Sequence, residues 1–173
     1  MQTERALINT NPKIYIASPY GFSEAGRFFY EVTFMPIIKD RGFEILDPWT
    51  LTPKNIIDSA IQFPYGEAKK EKWREVNEII GSNNVEAIKT ADLILAILDG
   101  PMVDDGTAGE IGFGSALEKL ILGYRGDFRQ SGDNEGCKIN AQIEHFIYRT
   151  GGTIVTNLNE LRKELIKCRR LLT

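Results

Sequence analysis

One short stretch of the chain, residues 99–112, concentrates carboxylates and glycines. Its fourteen residues include four glycines, one glutamate and three aspartates: Glu110, Asp99, Asp104 and Asp105. The preceding residues 93–98 are all apolar and predict a parallel strand buried on both faces. Ligands of open parallel sheets bind just beyond the carboxyl ends of such strands. We therefore expect the reactive groups here, with Asp99 among the residues that contact the substrate.

Glu110 supports two interpretations. Thr107 and Glu110 have the spacing of a capping box, in which each side chain binds the other residue's backbone N–H at a helix start. Alternatively, Glu110 lies in the first turn of a helix, where the macrodipole favours the ionised carboxylate, a usable nucleophile. Three glycines of the expected helix would each cost about 1 kcal/mol relative to alanine: Gly109, Gly112 and Gly114. This cost favours a close approach to the helix backbone, and with it the catalytic interpretation.

A second carboxylate is the usual requirement of glycosyl transfer, because one group protonates the leaving group while the other attacks or stabilises the sugar. Asp104 and Asp105 are candidates, although Asp-Asp-Gly is also typical of a solvated acidic turn. Residues 112–117 begin like a dinucleotide-binding fingerprint. The third glycine is missing, the segment lies inside a helix, and no Walker sequence occurs. Both phosphate-loop classes are therefore disfavoured.

Apolar strand-like runs alternate with amphipathic segments, which predicts a single-domain α/β fold with a five-stranded parallel sheet, flavodoxin-like or Rossmann-like. The expected helices cover residues 23–41 with a kink at Pro36, two segments within 66–89, and residues 157–172. Two loops, 49–65 and 125–136, could cover the site. Tyr20 and Phe22 follow the first strand and could form an aromatic wall for a planar base. The five predicted strands cover residues 13–17, 43–46, 93–98, 120–124 and 153–155.

Composition narrows the function classes. A hydrophobic fraction of 42% over 173 residues suits one domain with a proper core. The net charge of −3 comes without a basic stripe, so a nucleic-acid polymer is not an expected partner. No apolar run reaches the length of a membrane span, so we expect a soluble, cytoplasmic protein. Residues 1–12 are predicted to be a flexible N-terminal extension. Two distant cysteines and a single histidine fit neither a metal cluster nor a nucleophile–histidine site.

Several motifs together resemble the nucleoside 2-deoxyribosyltransferase family. The most specific is Asp104-x-Gly-Thr-x-x-Glu110-Ile-Gly, preceded by the apolar residues 91–100. The opening segment 13–23, with Ala-Ser-Pro-Tyr, also resembles members of the family, and so do short pieces between residues 127 and 140. The resemblance extends from about Lys13 to Phe146 and implies a role in nucleotide salvage.

The resemblance implies roles for individual residues. Glu110 would attack C1′ of a 2′-deoxynucleoside and form a covalent deoxyribosyl ester, which a second base then resolves. Asp104 matches a base-contacting aspartate that shares a proton with a ring nitrogen, and Tyr15 matches a tyrosine that orients the nucleophile. Asn140 matches a residue that reaches into a neighbouring subunit, so a homo-oligomer with shared active sites is expected. The substrates would be deoxynucleosides and free nucleobases, with no metal or organic cofactor.

Two positions depart from the family pattern. Asn84 stands where some members carry an aspartate, so we expect different base contacts there. Gln142 stands two positions after Asn140, where members often have an apolar residue, so sugar or base selectivity is expected to differ.

Two alternative functions remain open at this stage. One is a hydrolase that cleaves the N-glycosidic bond of deoxynucleosides or their 5′-monophosphates, for which Ser18, Ser23 and Arg129 are candidate phosphate contacts. The other is a non-catalytic nucleoside or nucleotide sensor.

Overall fold

The fold is a parallel α/β sheet covered by helices, seen in a computed structural model that describes residues 11–173. The predicted N-terminal extension lies outside the described residues, apart from Asn11 and Pro12. In the described part of the chain, five strands form one parallel sheet in the order β2-β1-β3-β4-β5. The predicted fold class is confirmed. The strands are β1 (Lys13–Ala17), β2 (Glu44–Leu46), β3 (Leu93–Ile97), β4 (Leu120–Tyr124) and β5 (Thr153–Val155).

The central strands are buried on both faces, as their continuous apolar sequences predict. Every residue of β3 is fully buried. Two apolar layers sandwich the sheet, and consecutive residues of β1 contribute to opposite layers, with Ile14 and Ile16 on one side and Tyr15 on the other. The side chain of Tyr15 is therefore directed to the layer that also contains Ile111, the residue after Glu110.

The helices differ from the prediction in three places. The expected helix 23–41 is divided by a π-helical turn (Tyr30–Phe34), and Pro36 lies in the first turn of the segment that follows. The expected loop 49–65 contains two short helices, and the two helices expected within 66–89 are one helix of 24 residues. The helices are α1 (Glu24–Phe29), α2 (Met35–Lys39), α3 (Pro48–Leu51), α4 (Lys54–Ile61), α5 (Glu67–Thr90), α6 (Asp105–Ala116), α7 (Ala141–Arg149) and α8 (Leu158–Leu172).

The strand order predicts a ligand crevice between β1 and β3. The chain runs from β1 to β2 on one side of the sheet and from β3 to β4 on the other. The strand order therefore reverses between β1 and β3. In doubly wound sheets, this reversal opens a crevice at the carboxyl ends of the strands. The residues after β1, residues 18–22, and those after β3, residues 98–110, meet there. No helix among residues 11–173 is both long and apolar enough to cross a bilayer.

Candidate active site

Glu110 and Tyr15 form the centre of the site. The Tyr15 hydroxyl donates a hydrogen bond of 2.5 Å to Oε1 of Glu110. Tyr15 is held by β1, and Glu110 lies in the second turn of α6, not in the first turn as predicted. Glu110 also lines an open cavity. Among the described residues, its other carboxylate oxygen, Oε2, has no hydrogen-bond partner. One carboxylate oxygen is therefore fixed and the other is available.

Burial controls the protonation of both groups. It raises the pKa of the Glu110 carboxyl to about 7; the hydrogen bond from Tyr15 opposes this rise, and the negative charge of Asp104 adds to it. Burial, with the charge of Glu110 next, raises the pKa of the Tyr15 hydroxyl well above its usual range. Tyr15 thus remains a donor at all ordinary pH values. Glu110 changes between acid and carboxylate close to neutral pH. The helix dipole was expected to favour the ionised carboxylate in the first turn, but Glu110 lies in the second turn of α6 and the expected effect does not apply.

Asp104, rather than Thr107, caps α6. Its Oδ2 accepts from the backbone N–H of Thr107 at 3.0 Å and from the Thr107 hydroxyl at 3.3 Å. The capping-box interpretation is therefore wrong, because Thr107 lies inside the helix and Glu110 binds Tyr15. Asp104 lines the same cavity as Glu110, six residues away on the helix. Asp105 is the first residue of α6 and is exposed.

A cavity of about 650 Å³ opens in front of Glu110 and Asp104. This volume suits a small organic ligand. Its walls come from the turn after β1, helices α1, α3 and α4, one face of α5 and the start of α6. The residues that line it are Ser18, Phe22, Arg27, Pro48, Trp49, Thr52, Ile57, Trp73, Asn77, Ile80, Asn84, Asp104, Gly106, Thr107 and Glu110.

The aromatic wall consists of Phe22 and Trp49, not of Phe22 and Tyr20. The two rings meet edge to face with centroids 4.8 Å apart. The Trp49 ring lies directly on the backbone of Gly21, where an added Cβ would come within 2.1 Å of it. Tyr20 instead packs edge to face on Phe29 and does not line the cavity.

Asp99 lies beneath the site. Its carboxylate accepts a short hydrogen bond from the Tyr20 hydroxyl, and it accepts from the Asp127 backbone N–H at 2.9 Å. The nearby Arg125 is buried and donates to the carbonyl oxygens of Leu98 and Gly100. These contacts tie the loop after β3 to the loop after β4, and Asp99 is not among the residues that line the cavity.

The three amide candidates are separated. Asn84 lines the cavity, and its Oδ1 is buried without a hydrogen-bond partner in the described residues. Asn140 caps α7 through Oδ1 and donates from Nδ2 to Asp133 at 3.1 Å. Asn140 and Gln142 are exposed and lie outside the cavity of their own chain.

The candidate phosphate contacts are also dispersed. Ser18 lines the cavity, whereas Ser23 caps α1 by accepting from the Gly26 backbone N–H. Arg129 forms an ion pair with Asp127 and borders a different depression. Among the described residues, Arg27 is the one cationic side chain in the cavity wall, and it donates to the Gly21 carbonyl oxygen at 3.0 Å.

Of the three glycines expected to allow a close approach, only Gly114 makes one, and it does so for packing. An added Cβ on Gly114 would come within 2.1 Å of Ile94, so this glycine allows the helix to lie close to β3. Gly112 faces Phe146 at ordinary contact distance, and Gly109 has open space. The predicted close approach to this backbone is therefore an internal contact at Gly114.

Sequence reasoning missed the contribution of α3 and, apart from Asn84, that of α5. Asp47 followed by Pro48 is a helix-start signal, because aspartate caps and proline suits the first turn. Asp47 indeed accepts from the Trp49 backbone N–H at 3.1 Å and so fixes Trp49. Residues 73, 77, 80 and 84 have the spacing of one helix face. The prediction of two helices within residues 66–89, in place of one, concealed this shared face. Among residues 11–173, no group of three or more His, Cys, Asp and Glu side chains could hold a metal ion.

Comparisons with known proteins concern the family and the fold of the chain. The family model described as nucleoside 2-deoxyribosyltransferase matches residues 14–142. No curated protein matches the sequence at a significant level.

Solved structures share the fold. A conserved protein from Enterococcus faecalis V583 has a TM-score of 0.67 at 24% identity, with 91% of this chain and 98% of that chain covered. A 2-deoxyribosyltransferase from Bacillus psychrosaccharolyticus has a TM-score of 0.63 at 22% identity, with coverage of 87% and 90%. A CMP N-glycosidase from Clostridium botulinum has a TM-score of 0.52 at 17% identity, with coverage of 88% and 97%.

Proposed function

Since the chain belongs to the nucleoside 2-deoxyribosyltransferase family, we propose that it transfers 2-deoxyribose from one nucleobase to another. The observation that carries this proposal is the pairing of Glu110 with Tyr15 in front of an open cavity. A carboxylate with one oxygen fixed and the other free is suited to attack an anomeric carbon. The second carboxylate of the cavity, Asp104, is suited to proton transfer.

In the first half of the reaction, Oε2 of Glu110 attacks C1′ of the donor nucleoside. The C1′–N bond breaks, and its electron pair goes to the ring nitrogen of the base. Asp104 relays a proton from solvent to the base, which leaves neutral. The sugar remains bound to Glu110 as an ester, while Tyr15 continues to hold Oε1.

In the second half, a ring nitrogen of the acceptor base attacks C1′ of the ester. The bond between C1′ and Oε2 breaks, its electron pair returns to Glu110, and the proton of the acceptor nitrogen goes to Asp104. Two displacements at one carbon give net retention of configuration. The aromatic wall of Phe22 and Trp49 holds either base by its flat face, which suits exchange because stacking tolerates different bases.

The charge of the cavity favours a neutral nucleoside over a 5′-monophosphate. Two carboxylates, Glu110 and Asp104, line it against one cation, Arg27, which is already bonded to a backbone carbonyl. The start of α6 would otherwise attract an anion, but the Asp104 carboxylate occupies it. We therefore assign a free 5′-hydroxyl to the substrate.

The test is incubation of the protein with a deoxynucleoside and a different free base. A new deoxynucleoside supports transfer. Free deoxyribose supports hydrolysis, in which water replaces the acceptor base. The Clostridium botulinum structure named above is that of a CMP N-glycosidase. Ligand binding without any product supports a sensor. Parallel reactions with the donor's 5′-monophosphate test the charge argument, which predicts a rate at least tenfold lower than with the nucleoside.

We also propose that the protein is a homo-oligomer. Phe28 and Val32 are one helical turn apart and exposed by 68% and 57%, close to the cavity wall residue Arg27. Large apolar side chains exposed together mark interaction surfaces. Light scattering after gel filtration tests the assembly, and Val32→Glu is expected to yield monomers.

A further inference from the structure

The cavity is longer than a nucleobase. One face of α5 lines it with Trp73, Asn77, Ile80 and Asn84, and the first and last of these are eleven positions apart. At 1.5 Å per residue, this face extends about 16 Å. A purine attached to a sugar at Glu110 covers only the nearer part.

The reacting end of this span is the end with Asn84. One turn beyond Asn84, Ala87 and Ile88 pack in the same apolar cluster as Tyr15 and Ile111. Trp73 is consequently at the far end. Helix α4 runs alongside, since Asn83 binds Thr52 at 3.0 Å before α4 begins and Lys69 binds the Ile61 carbonyl at 2.9 Å where it ends.

The far end is mostly apolar. Ile57 from α4 and Trp73 from α5 line it, and Asn77 and then Ile80 follow along α5 toward the reacting end. Both carboxyl groups of the cavity, Asp104 and Glu110, lie at the opposite end, at the cap and in the second turn of α6. Covering such a surface with an apolar group is favourable because both leave water. The surface offers few hydrogen-bonding partners to the polar edge of a base.

We propose that this far end, formed by Ile57, Trp73 and Ile80, is a subsite for an apolar substituent on the nucleobase. The exocyclic amino group of adenine is on the ring edge away from the glycosidic nitrogen, so a substituent there would extend along α5 toward Trp73. N6-substituted purines are thus the substrate class that fills the whole cavity. This inference rests on the proposed transfer reaction.

The two tryptophans allow a direct binding test. The chain contains only two, Trp49 and Trp73, and both line the cavity. The Trp49→Phe variant retains Trp73 as the one fluorophore, and Trp73→Phe retains Trp49. The subsite predicts that N6-benzyladenine changes the emission of Trp73 saturably while adenine does not, and that both bases change the emission of Trp49. Equal effects of the two bases on Trp73, or none, overturn the subsite.

Kinetics supply the second test. The quantity measured is the ratio of kcat/KM for N6-benzyladenine to kcat/KM for adenine as acceptors. Ile57→Glu places a charge in the subsite and is expected to lower this ratio by about tenfold or more. Ile61→Glu, an exposed position on the same helix outside the cavity, is the matched control.

The outcomes separate the two proposals. An unchanged ratio in Ile57→Glu, or exchange with adenine but none with N6-benzyladenine in the unmodified protein, overturns the subsite and leaves the transfer reaction intact. Absence of exchange with every base overturns the transfer reaction itself, and the fluorescence titration then decides the subsite alone.

Discussion

The Tyr15 hydroxyl donates to Oε1 of Glu110 across 2.5 Å, joining the first strand of the sheet to the second turn of α6. These residues are 95 positions apart in sequence, and the sheet order brings them together. The bond fixes one carboxylate oxygen and opposes the effect of burial on the acidity of Glu110. Geometry and protonation of the proposed nucleophile therefore depend on the same contact.

The first prediction concerns the pH dependence of exchange. Glu110 must be ionised to attack, and burial raises its pKa to about 7. We expect kcat/KM to rise with pH through a midpoint near 7, since this parameter reports the ionisations of the free enzyme. A profile that is flat between pH 5.5 and 8.5 would show that Glu110 does not control the rate.

Tyr15→Phe tests the coupling between the two residues. Removing the hydroxyl removes the interaction that lowers the Glu110 pKa, so the midpoint moves to higher pH. At pH 6.5 the variant loses most of its activity, and at pH 9 it recovers part of it. Equal loss at all pH values would mean that Tyr15 contributes only to packing or orientation. Circular dichroism checks that the variant is folded.

Glu110→Gln separates catalysis from stability. The folded-state pKa of Glu110 lies above the ordinary value of 4.5. The ionised carboxylate therefore lowers the free energy of unfolding at high pH, whereas the protonated form does not lower it at low pH. The full cost above pH 7 is on the order of 3 kcal/mol. Because the amide oxygen still accepts from Tyr15, the variant is expected to be inactive and to melt several degrees higher than the parent at pH 8. This gain shrinks at pH 5, and a gain independent of pH would contradict the assignment.

Gly21→Ala tests the aromatic wall. The added methyl would come within 2.1 Å of the Trp49 ring, so Trp49 must move from its place in the cavity wall. We expect KM for both bases to rise at least tenfold, and circular dichroism checks that the variant is folded. Gly81→Ala is the control, because its methyl would enter open space on α5 and stabilise the helix by about 1 kcal/mol. Identical kinetics in the two variants would exclude Trp49 from base binding.

A pair of substitutions distinguishes the two roles of Asp104. Asp104→Ser keeps a capping oxygen for the Thr107 N–H, and Asp104→Ala does not. Only the alanine variant should lose about 1 kcal/mol of stability. Both variants lose the carboxylate, and exchange should fall about 100-fold or more in each. Full activity in the serine variant would restrict Asp104 to a structural role.

The sheet could be predicted from sequence because its strands are continuous apolar runs with sharp polar boundaries. The predicted and observed bounds of β1, β4 and β5 agree, and β2 and β3 differ by one residue. The helices were less predictable. Helix α3 begins with Pro48 and α4 follows Pro53, and both helices are short. Prolines such as Pro53 favour a loop over residues 49–65 when the sequence is read alone.

The site was predictable where one motif specified it and not where distant elements complete it. Glu110, Asp104, Tyr15, Phe22 and Asn84 do meet around the cavity or its base. Tyr20 and Asp99 bind each other beneath the site, a pairing that depends on the neighbouring positions of β1 and β3. Trp49 and Trp73 come from helices whose approach to α6 no local pattern encodes.

The most direct test of the central claim is mass spectrometry of the protein mixed with a deoxynucleoside alone and quenched in acid. Without an acceptor base, the account predicts a mass increase of one deoxyribosyl group, located on the peptide that contains Glu110 and absent from Glu110→Gln. Exchange activity without any such adduct, or an adduct on another residue, would contradict the assignment of Glu110 as the nucleophile.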